Sequence, residues 1–129
     1  MAPLAEAGFR VVAVDQRGFN RSAKPIVQES YATSYVVEDV AAVIRQEGYE
    51  QAHLVGHDSG ALVAWLFATH YPEMAGKLAV LSVQHPNAFA QELAANPAQR
   101  EASAYARAMQ QPDARFRLRP IHFFARIHI

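Results

Sequence analysis

The sequence predicts an α/β protein, with three parallel strands, helices on the faces of the sheet, and a helical stretch after them. Three observations carry this. Short apolar runs at residues 9–15 (FRVVAVD), 52–56 (AHLVG) and 77–83 (KLAVLSV) alternate with helical segments. The connections are a few residues long, as expected where each helix packs back onto a parallel sheet. From residue 87 the alternation stops, and alanine-rich sequence runs to Pro112 with no further strand.

Each element has its own local reason. Residues 3–7 (PLAEA) read as the end of a helix, with Gly8 as its C-terminal cap. The valine-rich run at 9–15 ends at an acidic turn and reads as a buried strand. Residues 16–25 (QRGFNRSAKP) form a loop punctuated by Gly18, Asn20 and Pro25. Ser34 is placed to cap the next helix, and Glu38 and Asp39 lie near its positive end. Val36, Val37, Val40, Ala41, Val43 and Ile44 form an apolar stripe along it, and Gly48 ends it. Residues 61–70 predict a helix that is apolar nearly all round, which implies deep burial, and Pro72 stops it. Residues 87–112 read as helical, and 113–129 as an irregular tail rich in arginine and phenylalanine. The domain boundary is placed accordingly, with a core at 1–86 and a second segment at 87–129.

Composition narrows the function. The 129 residues are 51% hydrophobic, which is one domain's worth of globular sequence. Twelve basic and twelve acidic residues cancel, so no overall field favours nucleic acid or an anionic membrane. No apolar run approaches the roughly 18 residues of a membrane span, and the N-terminus lacks the pattern of a secretory signal. A cytoplasmic location is the expectation. Cysteine is absent, which removes disulfides, thiolate metal sites and thiol nucleophiles together. The six histidines show no metal-ligand spacing, since a strand and a turn separate His53 from His57. No metal and no cofactor are expected, and the expected partner is a small-molecule substrate.

Chemistry in open α/β sheets gathers at the carboxyl ends of strands. Here these ends are Asp15, the turn at residues 56–60, and the segment Val83-Gln84-His85-Pro86. The turn reads Gly56-His57-Asp58-Ser59-Gly60 and passes directly from strand to helix. A sharp strand-to-helix turn strains its apical residue and needs small residues two positions before and after it. With Asp58 at the apex those residues are Gly56 and Gly60; with Ser59 at the apex the earlier one is the bulky His57. The spacing selects Asp58 as nucleophile and leaves the Ser59 backbone N–H to stabilise an oxyanion. A carboxylate so placed attacks an electrophilic carbon and forms an ester. The competing reading is that Asp58 merely caps the following helix.

At these residues the chain resembles the α/β-hydrolase superfamily, and within it the branch of epoxide hydrolases and related dehalogenases. VGHDSGA (residues 55–61) is similar to the branch's aspartate-nucleophile motif, and VVAVDQRGFNRSAKP (11–25) resembles its D-x-R-G-[FY]-G-x-S-x-x-P loop. LSVQHP (81–86) is similar to the segment entering the helical cap, and AYARAMQQP (104–112) resembles a cap helix. The resemblance implies a partial α/β-hydrolase fold plus the start of a cap. Asn20 stands where the family has glycine, and Gln84 where it has proline. Ser59 replaces the tryptophan or arginine by which dehalogenases hold a halide or fluoride. The cap tyrosine that protonates an epoxide aligns with Ala108, and Tyr105 lies one turn earlier on the same face, as a substitute or as a core residue.

The resemblance also implies parts that these residues do not supply. A His-Gly-x-Pro loop, a water-activating histidine and an acid to orient it are not found in the sequence. His85 comes closest to a base, but in the family that position marks the entry to the cap. Asp15 is expected to shape its loop, with Arg17 as its partner. In the family's sheet order, one further strand lies between those at 9–15 and 52–56. The expectation is therefore a fragment, inactive by itself, that associates through an unpaired sheet edge. Two functions stay open: an epoxide-hydrolase-like enzyme, with dehalogenase-type hydrolysis as its variant, and a non-catalytic interaction module of the same fold.

Overall fold

The computed structural model describes residues 2–111; Pro112 and the tail at 113–129, with His122 and His128, lie outside the described residues. The chain divides into two compact units, the first Met1–His85 and the second from Pro86 onward. In the first unit, α1 (Ala2–Glu6) leads through the loop segment to a 3₁₀ turn (Gln28–Tyr31) and α2 (Thr33–Gln46). β1 (Ala52–His57), α3 (Ser59–His70) and β2 (Ala75–Leu81) complete it.

β1 and β2 pair in parallel, with His57 opposite Leu81, so both carboxyl ends lie at one edge. The register slips between Ala52 and Leu54. At the slip, His53 Nδ1 accepts the Lys77 N–H at 2.9 Å. β2 starts and stops two residues earlier than the sequence suggests. Ser82, at φ 67°, adopts a left-handed conformation that ends the strand.

The core lies between α2 and α3. Val37, Ala41 and Ile44 on α2 meet Phe67 of α3 and Met74, and Phe67 is completely buried. Stacking on Tyr71, with ring centroids 5.3 Å apart, fixes the Phe67 ring. α3 is buried on the face of Ala61, Ala64 and Phe67, and not all round as its composition implies. Leu62 is exposed, because α2 and two strands cover only part of an evenly apolar helix. α2 ends at Gly48 as expected, with the Tyr49 N–H reaching back to the Ile44 carbonyl. It starts differently: Ala32 is the N-cap, and Ser34 sits inside the first turn without capping.

Residues 9–15 depart from the predicted strand. Among the described residues the sheet has two strands, and this segment enters no ladder. Phe9, Val12 and Val14 are about half exposed. Side chains hold the segment instead. Arg10 bonds Glu47 at the end of α2, and the Phe9 ring meets His53 edge-on at 6.3 Å. A strand needs a hydrogen-bonded neighbour, and no described residue supplies one on this side.

The second unit holds α4 (Pro86–Ala95), α5 (Pro97–Ala102) and α6 (Ala104–Met109). Asn96 caps α5 by accepting from the Ala98 and Gln99 N–H groups, with Pro97 at the first helical position. Arg100 closes α4 by donating to the Leu93 and Ala94 carbonyls.

Candidate active site

β1 runs straight into α3 with Asp58 between them as the N-cap residue, at φ 52° and ψ −123°. This is a region that side-chain-bearing residues rarely adopt, at a cost of about 1–3 kcal/mol. The surroundings hold it there. The Asp58 N–H donates to Leu81 O on the neighbouring strand at 3.3 Å, and its carbonyl accepts from Ala61 and Leu62. The capping alternative fails, because the Asp58 side chain makes no hydrogen bond to its own helix. Asp58 is exposed.

The two flanking glycines are not equivalent. A Cβ on Gly56 would lie 2.4 Å from Gly60 O and 2.7 Å from Ala61 Cα, both rigid backbone. Only glycine lets the strand pass this close under the helix start. A Cβ on Gly60 would meet nothing nearer than Gln16 Nε2, at 3.8 Å. The crowding expected on both sides of the apex thus falls on Gly56 alone. His57 precedes the apex with its side chain exposed. Among the described residues the N–H groups of Ser59 and Gly60 have no backbone acceptor, which leaves two donors at the positive end of α3.

The loop at 15–25 comes to the same edge, as Gln16 beside Gly60 shows. Its internal bonding corrects one expectation. Arg17 does not pair with Asp15; it binds Asp39 on α2 through two hydrogen bonds of 2.6 Å and donates a third to Ser30 O. This hydrogen bond to Asp39 is the main reason that the Arg17 pKa is raised. Asp15 instead accepts from Asn20, and its carbonyl accepts from Ser22. Asn20 takes the left-handed conformation, φ 40°, that its replacement of glycine implies. Nothing in local spacing reveals the Arg17–Asp39 brace, since its partners lie 22 residues apart.

The third strand end is pinned to α3. Trp65 Nε1 donates to Val83 O at 3.3 Å, and the Trp65 and His85 rings meet edge-on at 4.9 Å. Tyr105 lies on α6 in the second unit and is 60% exposed. A shallow groove among α4, α5 and α6, formed in part by Phe89, Leu93 and Arg107, does not include it. Among the described residues, no cluster of three His, Asp or Glu side chains could hold a metal ion. No helix among them is long and apolar enough to cross a membrane.

Residues 1–121 match the family described as alpha/beta hydrolase fold. The chain belongs to that family. The relatives point to one branch. The chain is 39% identical over 97 residues to human epoxide hydrolase 4, covering 75% of this chain and 27% of the relative. It is 50% identical over 80 residues to epoxide hydrolase B of Mycobacterium tuberculosis, covering 62% of this chain and 22% of the relative. Among solved structures, the M145A mutant of an epoxide hydrolase from Bacillus megaterium superposes with a TM-score of 0.76 at 39% identity. That match covers 84% of this chain and 38% of the other. The chain spans about a quarter of the length of these curated relatives. The partial α/β-hydrolase fold expected from the elbow and the D-x-R-G loop is the fold observed, with two paired strands in place of three.

Proposed function

We propose that Asp58 is the nucleophile of an epoxide-hydrolase-type reaction. The observation that carries this reading is the strained backbone of an aspartate that caps nothing. A structural cap needs neither the left-handed φ nor the strain, and would bond its own helix. A carboxylate oxygen of Asp58 attacks an epoxide carbon and the ring C–O bond breaks. The resulting alkoxide takes a proton from water, leaving a hydroxyalkyl ester on Asp58 and releasing hydroxide. The Ser59 N–H serves the second step, in which water adds to the ester carbonyl and the oxyanion needs a donor.

Among the described residues no hydrogen bond joins a histidine to Asp58: His53 accepts from Lys77, His70 bonds Leu66 O, His57 is exposed, and the His85 ring lies against Trp65. The base that activates water is therefore assigned outside the described residues. Within them, the expected chemistry is a single alkylation. A small epoxide incubated with the chain should be consumed to about one equivalent, faster than in buffer. Asp58→Asn should remove this burst, because an amide is a poor nucleophile, and Ser59→Ala should keep it, because the backbone N–H survives. A burst that survives Asp58→Asn and disappears in Ser59→Ala would put the nucleophile at the wrong residue. Ser59 in place of the dehalogenases' halide-holding side chain favours an epoxide over a haloalkane, because an opened epoxide keeps its leaving oxygen and needs no halide site.

A further inference from the structure

The loop at 15–22 is rigidly mounted, and one polar side chain on it is left over. Asp15 binds Asn20, Ser22 binds the Asp15 carbonyl, and Arg17 is fastened to Asp39 and Ser30. The Gln16 carbonyl closes a turn by accepting from the Phe19 N–H at 2.9 Å. The backbone on both sides of Gln16 is thus fixed. Its carboxamide makes no hydrogen bond among the described residues and is open to solvent, since no buried side-chain N or O atom among them lacks a partner. It lies beside the first turn of α3, where Gly60 leaves open the space that a side chain would fill. A substrate that displaces that solvent must replace its hydrogen bonds or leave the amide unmet.

We infer that Gln16 is a specificity-determining residue of the Asp58 site, whose carboxamide hydrogen-bonds a hydroxyl or ether oxygen on the carbon next to the epoxide. The inference rests on the nucleophile reading above and adds the substrate class to it. Three things support the placement. The amide comes from a loop that reaches the edge carrying Asp58, as its place beside Gly60 shows. Its backbone is braced, so little is lost in ordering it. Its Nε2 lies 3.8 Å from where a Cβ on Gly60 would sit, and Gly60 is two residues past the nucleophile. An apolar epoxide would leave the amide unpaired; an oxygenated one would satisfy it. Discrimination of this kind is stronger than that of an apolar pocket, because the wrong substrate strands a polar group.

The test uses two epoxides of equal size, glycidol and 1,2-epoxybutane, which differ by a hydroxyl in place of a methyl. The full 129-residue chain is incubated with each, and the alkylation rate at the Asp58 peptide is followed by mass spectrometry, with Asp58→Asn as the blank. The ratio of the two rates is the readout, so a general loss of reactivity cancels. In Gln16→Met, which keeps length and loses the amide, the glycidol-to-epoxybutane ratio should fall about fivefold, the size of one neutral hydrogen bond. Gln16→Glu keeps an acceptor and loses the donor, and it can be read by itself if Gln16→Met fails to fold. A lower ratio in either variant supports the inference, and a fall confined to Gln16→Met makes the amide an acceptor. An unchanged ratio in the variants that fold overturns it while the nucleophile reading stands. No alkylation at Asp58 in the parent chain overturns both.

Discussion

Replacing Gly56 by alanine puts the elbow's geometry to a quantitative test. The added methyl would sit 2.4 Å from Gly60 O and 2.7 Å from the Gly60 carbonyl carbon and Ala61 Cα. That is about 1 Å inside ordinary carbon contact. All three atoms belong to the backbone of the first turn of α3, so no side chain can swing away. Either β1 or α3 must shift, and α3 carries the fully buried Phe67. Overpacking of this kind costs about 1–3 kcal/mol, and backbone on both sides places it at the upper end. Gly60→Ala is the control, because its methyl meets only the Gln16 amide, at 3.8 Å. Alanine inside a helix is also favoured over glycine by roughly 0.5–1 kcal/mol. The variants should thus differ by about 3 kcal/mol. For a unit of this size that is more than about 10 °C in melting temperature. Thermal melts followed by far-ultraviolet circular dichroism measure it. Equal shifts, or a larger loss in Gly60→Ala, would refute the close strand-to-helix approach.

Other consequences are also testable. Arg17→Lys should keep the charge but lose the two-pronged grip on Asp39, costing about 1 kcal/mol and raising amide exchange across residues 16–25; unchanged exchange would deny the brace its role. Glu38 is held below the ordinary glutamate value, first by the Tyr71 hydroxyl and then by Arg45. A lowered folded-state pKa stabilises above the unfolded value and is lost as pH falls through the folded one. Tyr71→Phe should accordingly flatten the acid limb of a stability-against-pH curve, and an unaltered limb would contradict this. The unpaired apolar segment with Val12 and Val14 should make the chain self-associate in light scattering, and Val14→Lys should shift it toward monomer; a parent chain that is monomeric throughout would refute this.

The features that the sequence made legible are those encoded over a few neighbouring residues. The elbow is one, because Gly56, Asp58 and Gly60 carry it within five positions. Gly8 and Gly48 as helix ends are others, since a left-handed cap is a local requirement. Features set by distant partners were not legible. The valine-rich run at 9–15 has the composition of a strand, but pairing depends on a neighbour, and composition says nothing of whether one is present. α3 is apolar all round, so its sequence could not say which face α2 would cover. Arg17 chose Asp39, 22 residues away, over the nearby Asp15 because a bidentate carboxylate on a helix matches the guanidinium fork. Gln16 occupies the variable position of the D-x-R-G loop, and its place beside Gly60, 44 residues away in sequence, has no local signal.

The central claim is that Asp58 forms a covalent ester, and peptide mapping after exposure to a small epoxide tests it most directly. The chain is quenched in acid, digested, and the peptide that spans residues 46–77 is fragmented. The claim predicts a mass increase equal to the intact epoxide, localised to Asp58 and absent from Asp58→Asn. Modification spread over the exposed histidines and carboxylates, with Asp58 no more reactive than Glu50 or Glu73, would contradict it.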